Sequence, residues 1–312
     1  MTIARSLWHI NSQESVILES PLIPVPNQVQ LQTIYSLISP GTERTVALGQ
    51  VPPALFEKMQ VPYMGGGFEF PVKYGYSVVA RSNDGRNFHL MHPHQDFLSV
   101  DPESIVEIPP DLDLWKAGLI SNLETALTAF WDADPKPEEA ILLVGFGWIG
   151  YLIAGVLKLK GCLDISVAEP IPSRALLAKQ RGFRMLTAAR EYDVAFHCSA
   201  TAEGLQLCLD NMKWEGRVIE VSWYGNRMTP IYLGGDFHYK RLSIRSSQVS
   251  QIPGKMQGEW DFKKRKTEVI RLLGDGYWNQ LEIPVIPFEQ APQIFDKIRR
   301  NEAGSLTYLL KY

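Results

Sequence analysis

"AILLVGFGWIGYLIAGVLKLKG", Ala140 to Gly161, sets a short apolar run against a helical pattern and places three glycines at the joint. Gly145, Gly147 and Gly150 fit G-x-G-x-x-G where a strand ends and a helix opens, the context that gives this spacing a physical meaning. The first glycine permits a tight turn, the second lets backbone approach a pyrophosphate, and the third lets the helix sit close on the strand. Phosphate oxygens would then meet free N–H groups at the positive end of the helix, which opens with Trp148 and Ile149. Glu169 ends the next apolar run, about 20 residues past Gly150, the spacing of a carboxylate that holds a ribose 2′-hydroxyl. Such a carboxylate repels a 2′-phosphate, so NAD is favoured over NADP, with Arg174 as the counter-argument. The plainer alternative is a glycine turn that only packs helix on sheet.

Working outward, Ala140–Val144, Ile165–Ala168, Arg184–Thr187, Val194–His197, Arg217–Val221 and Leu242–Ser246 are six short apolar or β-branched runs. Helical patterns such as Ser173–Arg181 and Ala202–Asn211 fall between several of them. That alternation predicts a doubly wound, six-stranded parallel sheet covered on both faces, an α/β class. Toward the N-terminus the pattern is mainly β. Val29, Leu31 and Thr33 alternate with glutamines, and Val72–Ala80 reads as a further strand. From Ile252 onward come helices at Phe262–Leu273 and around Glu289–Arg300, then a closing strand, Leu306–Lys311. This tail is too short for its own core and is expected to pack on the N-terminal region.

The 312 residues carry 31 Lys and Arg against 34 Asp and Glu, a net charge of -3, so no overall basic field exists to hold nucleic acid. The densest positive run, Lys263–Lys266, reads as a solvated helix face. Cys162, Cys198 and Cys208 are odd in number and lack C-x-x-C spacing, which suits reduced thiols. No segment reaches the roughly 18 apolar residues of a membrane span, and the stretch after Arg5 lacks a signal-like apolar run. The expectation is a cytoplasmic protein with a small-molecule substrate and neither nucleic-acid nor membrane partner.

"SPGTER" (Ser39–Arg44), "KYGYS" (Lys73–Ser77) and "NLETALTAF" (Asn122–Phe130), around the mid-chain glycine fingerprint, resemble the medium-chain dehydrogenase/reductase superfamily over nearly the whole chain. With "HPHQD" and "SWYG" they are most similar to a bacterial branch lacking the zinc ligands, which includes bacteriochlorophyllide hydroxyethyl dehydrogenase. The resemblance implies a GroES-like, mainly β catalytic domain from residues 1–121 and 252–312, and a Rossmann domain from 122–251. It also implies an active site in the cleft between them and a homodimer formed through the sixth strand. Where zinc alcohol dehydrogenases carry ligands, this chain resembles them only in outline, with Pro40-Gly41-Thr42-Glu43, Gly75-Tyr76-Ser77 and Ser121. None of these replacements is the usual thiolate or imidazole, so no zinc is expected.

Without a metal, hydrogen-bond donors must stabilise the oxygen on the carbon that gains or loses hydride. Thr42, at the family's proton-relay position, and Tyr76, in the vacated histidine position, are the candidates, with Tyr76 as mere space-filler the alternative. Glu43 and Arg44 are expected to pair and stiffen the loop bearing Thr42, or else to meet substrate. His92 and His94 read first as surface or loop histidines, next as a cleft or proton-relay element to which His94 would belong, and least as metal ligands. By resemblance Thr125 touches the nicotinamide side of the cofactor, while Ser199 and Val221 stand at strand C-termini, where ligands bind in open sheets. Trp223 and Tyr224 wall the cleft or simply pack, and Val51–Gly65 is a candidate lid hinged at Gly65–Gly67. Three functions follow: an NAD(P)-dependent carbonyl/alcohol oxidoreductase, a quinone or enone C=C reductase, and a dinucleotide-binding sensor or scaffold without catalysis.

Overall fold

The computed structural model describes residues 2–23, 25–187 and 190–312. The chain divides into two compact units, Met1–Ser121 with Leu273–Tyr312, and Asn122–Leu272. The first opens with β1 (Ile3–His9) and β2 (Ser15–Pro21), an antiparallel hairpin, followed by β3 (Val29–Leu37). Along β3, Leu31 and Thr33 are buried and Gln32 is exposed, as period two demands of a strand with one face inward. Next comes α1 (Pro40–Ala47), a helix where the sequence suggested a loop, started by Pro40 at a position whose N–H has no intrahelical partner to lose.

The chain continues through β4 (Gly65–Gly66), β5 (Val72–Lys73), β6 (Val78–Ser82), β7 (Asn87–Leu90), β8 (Phe97–Val100) and β9 (Ile105–Glu107). The run Val72–Ala80, expected as one strand, is thus broken in two. Gly75 holds a φ of +124°, and a Cβ there would come within 3.0 Å of the His94 ring, so the backbone turns where only glycine fits. Leu31, Val78, Ala80, Phe88, Leu90, Leu98 and Val100 form one core of this unit.

After α2 (Leu114–Ala117), α3 (Ile120–Ala133) leads into the second unit. There β10 (Ile141–Val144), α4 (Trp148–Leu159), β11 (Ile165–Ala168), α5 (Pro172–Gln180), β12 (Arg184–Met185), β13 (Tyr192–His197), α6 (Ala202–Asp210), β14 (Met212–Glu220), α7 (Asp236–Tyr239) and β15 (Ser243–Ser246) alternate. Among the described residues the six strands pair in the order β12-β11-β10-β13-β14-β15, every neighbour parallel. The order reverses between β10 and β13, which opens a crevice at their C-terminal ends. All four residues of β10 are buried, as in a central strand covered on both faces.

α8 (Phe262–Leu273) packs within this second unit, so its boundary falls at 272/273 and not at 251/252. Arg265 explains why: it is buried and donates to Glu124 Oε1 at 3.1 Å, Thr128 Oγ1 at 3.2 Å and the Val249 carbonyl at 2.7 Å. The run Lys263–Lys266 is therefore only partly a solvated face, with Lys263 and Lys264 exposed. β16 (Val285–Pro287), α9 (Ala291–Arg299) and β17 (Leu309–Lys311) return to the first unit, where β17 pairs with β3 and β16. Leu7, Ile38 and Ala47 from one stretch of chain share a second core with Phe288, Phe295 and Leu310 from the other. No helix among the described residues is long and apolar enough to cross a membrane.

Candidate functional site

In the first unit, α1 carries Glu43 into the interior, where its side chain and that of His94 are each 1% exposed. Glu43 Oε1 accepts the Ser39 N–H at 2.6 Å, and Oε2 lies 2.8 Å from His94 Nε2. His94 Nδ1 is 2.7 Å from Ser36 Oγ, itself 2.9 Å from the Tyr312 hydroxyl, and burial pushes the Tyr312 phenol well above its ordinary range. Tyr76, half-buried, donates to Ser39 Oγ at 2.5 Å. One hydrogen-bonded cluster thus joins Tyr76, Ser39, Glu43, His94, Ser36 and Tyr312. Every buried polar atom in it that would be costly to orphan has a partner.

Several expectations change here. Glu43 does not pair with Arg44: its carboxylate is taken by Ser39 and His94, and Arg44 donates to the carbonyls of Ile298 and Arg299. Thr42 sits half-buried in α1 and makes no side-chain hydrogen bond among the described residues. His92 and His94 are core residues and not surface ones. Ser121 donates to the Tyr76 carbonyl at 2.8 Å, bracing the backbone that carries the phenol. No three His, Cys, Asp or Glu side chains among the described residues gather as metal ligands would.

Two other histidines in this unit set a pH dependence. His92 stacks on Tyr63 at 5.0 Å with Nδ1 donating to the Pro93 carbonyl, and burial lowers it to about 3. His9 is lowered to about 3 as well, by burial first and then by Arg299 and His94. Both rings fold neutral, whereas unfolded histidine protonates near 6.5. Below that value the unfolded chain binds more protons, so stability is full above it and lost as pH falls toward 3. The slope approaches roughly 1.4 kcal/mol per pH unit for each ring. Urea melts at pH 7 and pH 5 are expected to show this unit's midpoint falling, and a midpoint independent of pH would contradict the neutral assignment.

In the second unit the glycines separate by what constrains them. Gly145, at φ +94°, has Ser199 N and the Cys198 carbonyl carbon 2.9 Å from where a Cβ would lie. A Cβ on Gly150 would sit 2.1 Å from the Gly145 carbonyl oxygen, the close helix-to-strand approach. Gly147 differs: its φ is -74°, and the nearest atom to a Cβ would be Arg174 Nη1 at 3.7 Å. The protein's own packing demands glycine at 145 and 150 and leaves 147, the N-cap of α4, open, which leaves room there for a ligand's close approach. That vacancy of contact fits a pyrophosphate at the start of α4, with Arg174 alongside.

Glu169 stands past the end of β11, accepting the Phe146 N–H at 2.7 Å and the Ile171 N–H at 2.9 Å, which fixes its carboxylate against the glycine turn. Trp148 places its backbone at the first turn of α4 but buries its indole, donating to Asn122 Oδ1 at 3.0 Å. Ile149 is half-buried on the same turn, Thr125 half-buried on α3, and Ser199 and Val221 follow the ends of β13 and β14. Tyr224 packs on His197 with ring centroids 6.3 Å apart and donates to Glu220 Oε2 at 2.8 Å, so it is held by packing and hydrogen bonding. Sequence reasoning missed Ser36, Ser39, Tyr312, His197 and Glu220. Only His197 and Ser199, two apart in "AFHCSA", carried a local signal, the shared face of an extended segment.

No family profile matches the chain. D-guloside 3-dehydrogenase of Shigella flexneri is 23% identical over 204 residues, 60% of this chain and 58% of that protein, so the match spans under two thirds of the relative's length. Among solved structures, acetophenone reductase from Geotrichum candidum in complex with NAD superposes with a TM-score of 0.79 at 16% identity, covering 99% of this chain and 97% of that one. 2R,3R-butanediol dehydrogenase from Bacillus subtilis superposes at 0.77 with 17% identity and 99% of both chains covered. In fold the chain resembles these dehydrogenases, a β-rich unit with a Rossmann-type unit, and in sequence it is similar to D-guloside 3-dehydrogenase and to zinc-type alcohol dehydrogenase-like proteins.

Proposed function

We propose that this protein is a nicotinamide-dependent oxidoreductase that interconverts a secondary alcohol and a ketone on a small molecule. The observation that carries the reading is Gly147, whose bare backbone no neighbour in the protein requires. Relatives and structural neighbours named for a guloside, a butanediol and acetophenone support the choice of a hydroxyl- or carbonyl-bearing carbon. Nothing favours C=C reduction or a non-catalytic sensor over it.

The bound nicotinamide supplies or accepts hydride at its C4. The second unit would hold the dinucleotide, with the N–H groups of Trp148 and Ile149 and the Arg174 guanidinium on the pyrophosphate and Glu169 on the adenosine ribose. NAD is preferred because the Glu169 carboxylate opposes a 2′-phosphate, while Arg174 lies beside Gly147, on the pyrophosphate side of the turn. The first unit would supply the donor to the substrate oxygen. Tyr76 becomes that donor when its hydroxyl proton, given to Ser39 Oγ in this structure, turns to the substrate oxygen, and Glu43, itself paired with His94, holds the Ser39 backbone. Thr42, half-buried on α1, offers a further hydroxyl. This set works without zinc. We extend the proposal to a homodimer formed along β15, which lies at the sheet edge, and to a reducing, cytoplasmic setting supported by three free cysteines.

Calorimetric titration with NADH and NADPH tests the reading. NADH is expected to bind at least about tenfold more tightly, and Glu169→Ala to remove that preference by deleting the like-charge clash. Binding of neither dinucleotide would reduce the glycine turn to packing.

A further inference from the structure

The crevice end of the parallel sheet holds a second set of reactive groups. His197 is the last residue of β13, and Ser199 follows two positions later. His197 stands in register with Glu220, the last residue of β14, so the two side chains share a face of adjacent parallel strands. His197 Nδ1 lies 2.8 Å from Glu220 Oε2, and His197 Nε2 lies 2.7 Å from Ser199 Oγ.

The proton positions follow from the partners. Glu220 also accepts the Ser222 N–H at 2.8 Å and the Tyr224 hydroxyl at 2.8 Å, so its carboxylate faces donors on every side. Burial and the neighbouring Glu220 keep the Tyr224 phenol protonated and donating. The imidazole therefore carries its proton on Nδ1, toward Glu220, and turns the Nε2 lone pair to Ser199. Ser199 Oγ must donate to that nitrogen. Thr201 Oγ1, 3.0 Å from Ser199 Oγ, accepts the Gly204 N–H as the N-cap of α6 and has its own proton free for the serine oxygen.

The surroundings are shaped around this hydroxyl. A Cβ on Gly204 would lie 2.2 Å from Ser199 Oγ and 2.8 Å from His197 Nε2, so only glycine in the first turn of α6 leaves room for the contact. Ala200, at φ +54°, holds a left-handed conformation at the turn between strand and helix, next to the serine. Ser199 is half-buried while His197 is fully buried, which exposes the nucleophile and shelters its base. Thr201, the N-cap of α6, brings the positive end of that helix next to the serine.

We propose that Ser199 is a nucleophile, activated by His197 with Glu220 as positioning residue, and that this site accepts and hydrolyses small activated carboxylic esters. Ser199 Oγ bonds to the ester carbonyl carbon as its proton passes to His197 Nε2. The carbonyl-to-alkoxy bond then breaks, and the alcohol leaves with that proton. Water, giving a proton to the same nitrogen, attacks the acyl-serine. The carboxylic acid departs and the serine hydroxyl is restored, so ester and water become acid and alcohol with no other reactant. The proposal does not rest on dinucleotide binding, and because Ser199 lies in the crevice against the Gly145 turn, it is tested with the dinucleotide absent.

The test uses the full chain, without dinucleotide, and p-nitrophenyl acetate. A burst of nitrophenolate of about one equivalent per chain is expected, with one acetyl group mapping by peptide mass spectrometry to Ser199. Ser199→Ala should abolish burst and label, and Ser199→Cys should restore acylation at the thiol. Glu220→Gln should slow acylation by roughly a thousandfold, and Glu220→Asp, which keeps the carboxylate, should recover part of it. An acetyl group found elsewhere, or no burst above the buffer rate, overturns the proposal from the parent protein alone, whatever the stability of the variants.

Discussion

Gly147→Ala is expected to weaken NADH binding by roughly a hundredfold while leaving the fold nearly as stable as the parent. A methyl group on residue 147 meets nothing in the protein closer than 3.7 Å, and the backbone already lies at a φ of -74° that alanine adopts freely. The stability change is confined to the weaker N-cap, under about 1 kcal/mol. A dinucleotide, by contrast, would have to place its pyrophosphate where that methyl projects. Gly150→Ala is the companion variant: its Cβ would press to 2.1 Å against the Gly145 carbonyl oxygen, so it should lower stability whether or not ligand is present. Calorimetry and thermal melts of the two proteins side by side read both effects. If Gly147→Ala binds NADH as the parent does, the pyrophosphate does not approach residue 147.

Glu43→Leu should destabilise the first unit by about 3–5 kcal/mol, the cost of removing one member of a buried hydrogen-bonded pair. Leucine leaves the Ser39 N–H without its acceptor and His94 Nε2 facing hydrocarbon, and both atoms lie out of reach of water. Glu43→Gln should cost far less, about 1 kcal/mol, because its amide oxygen can accept from Ser39 and its amide nitrogen can donate to His94. Urea unfolding followed in the first unit's own transition separates the two, since a chain of two units need not melt in one step. Equal losses for Leu and Gln would mean that charge, and not hydrogen bonding, is what residue 43 contributes.

The second unit was legible because its information is local. A strand, a glycine turn and a helix follow one another in 20 residues, and each later strand announces itself by a short apolar run, so topology follows from handedness and alternation. The first unit hid more. Val72–Ala80 has the composition of one strand, and nothing but the tertiary contact of Gly75 with His94 breaks it. His92 and His94 sit in a proline-broken segment and read as loop residues; their burial depends on Tyr63, Glu43 and Ser36, residues 29 to 58 positions away. Arg265 looked solvated for the same reason, because its acceptor Glu124 is 141 residues distant. The His197–Glu220 pair required a strand register, which no single stretch of sequence encodes. Polar clusters are legible only when their members are neighbours in the chain.

The first unit is assembled from two stretches separated by the 151 residues of Asn122–Leu272, and β17 closes its sheet against β3. On a ribosome adding about 5–20 residues per second, the early stretch therefore waits roughly 10–30 s for its missing strands, while the contiguous second unit can fold as it emerges. Throughout that interval the edge of β3 and the apolar surface of Leu7, Ile38 and Ala47 stand uncovered. Slower translation lengthens the exposure, and a holdase that shields nascent β edges should raise the yield of native protein more than one acting after release.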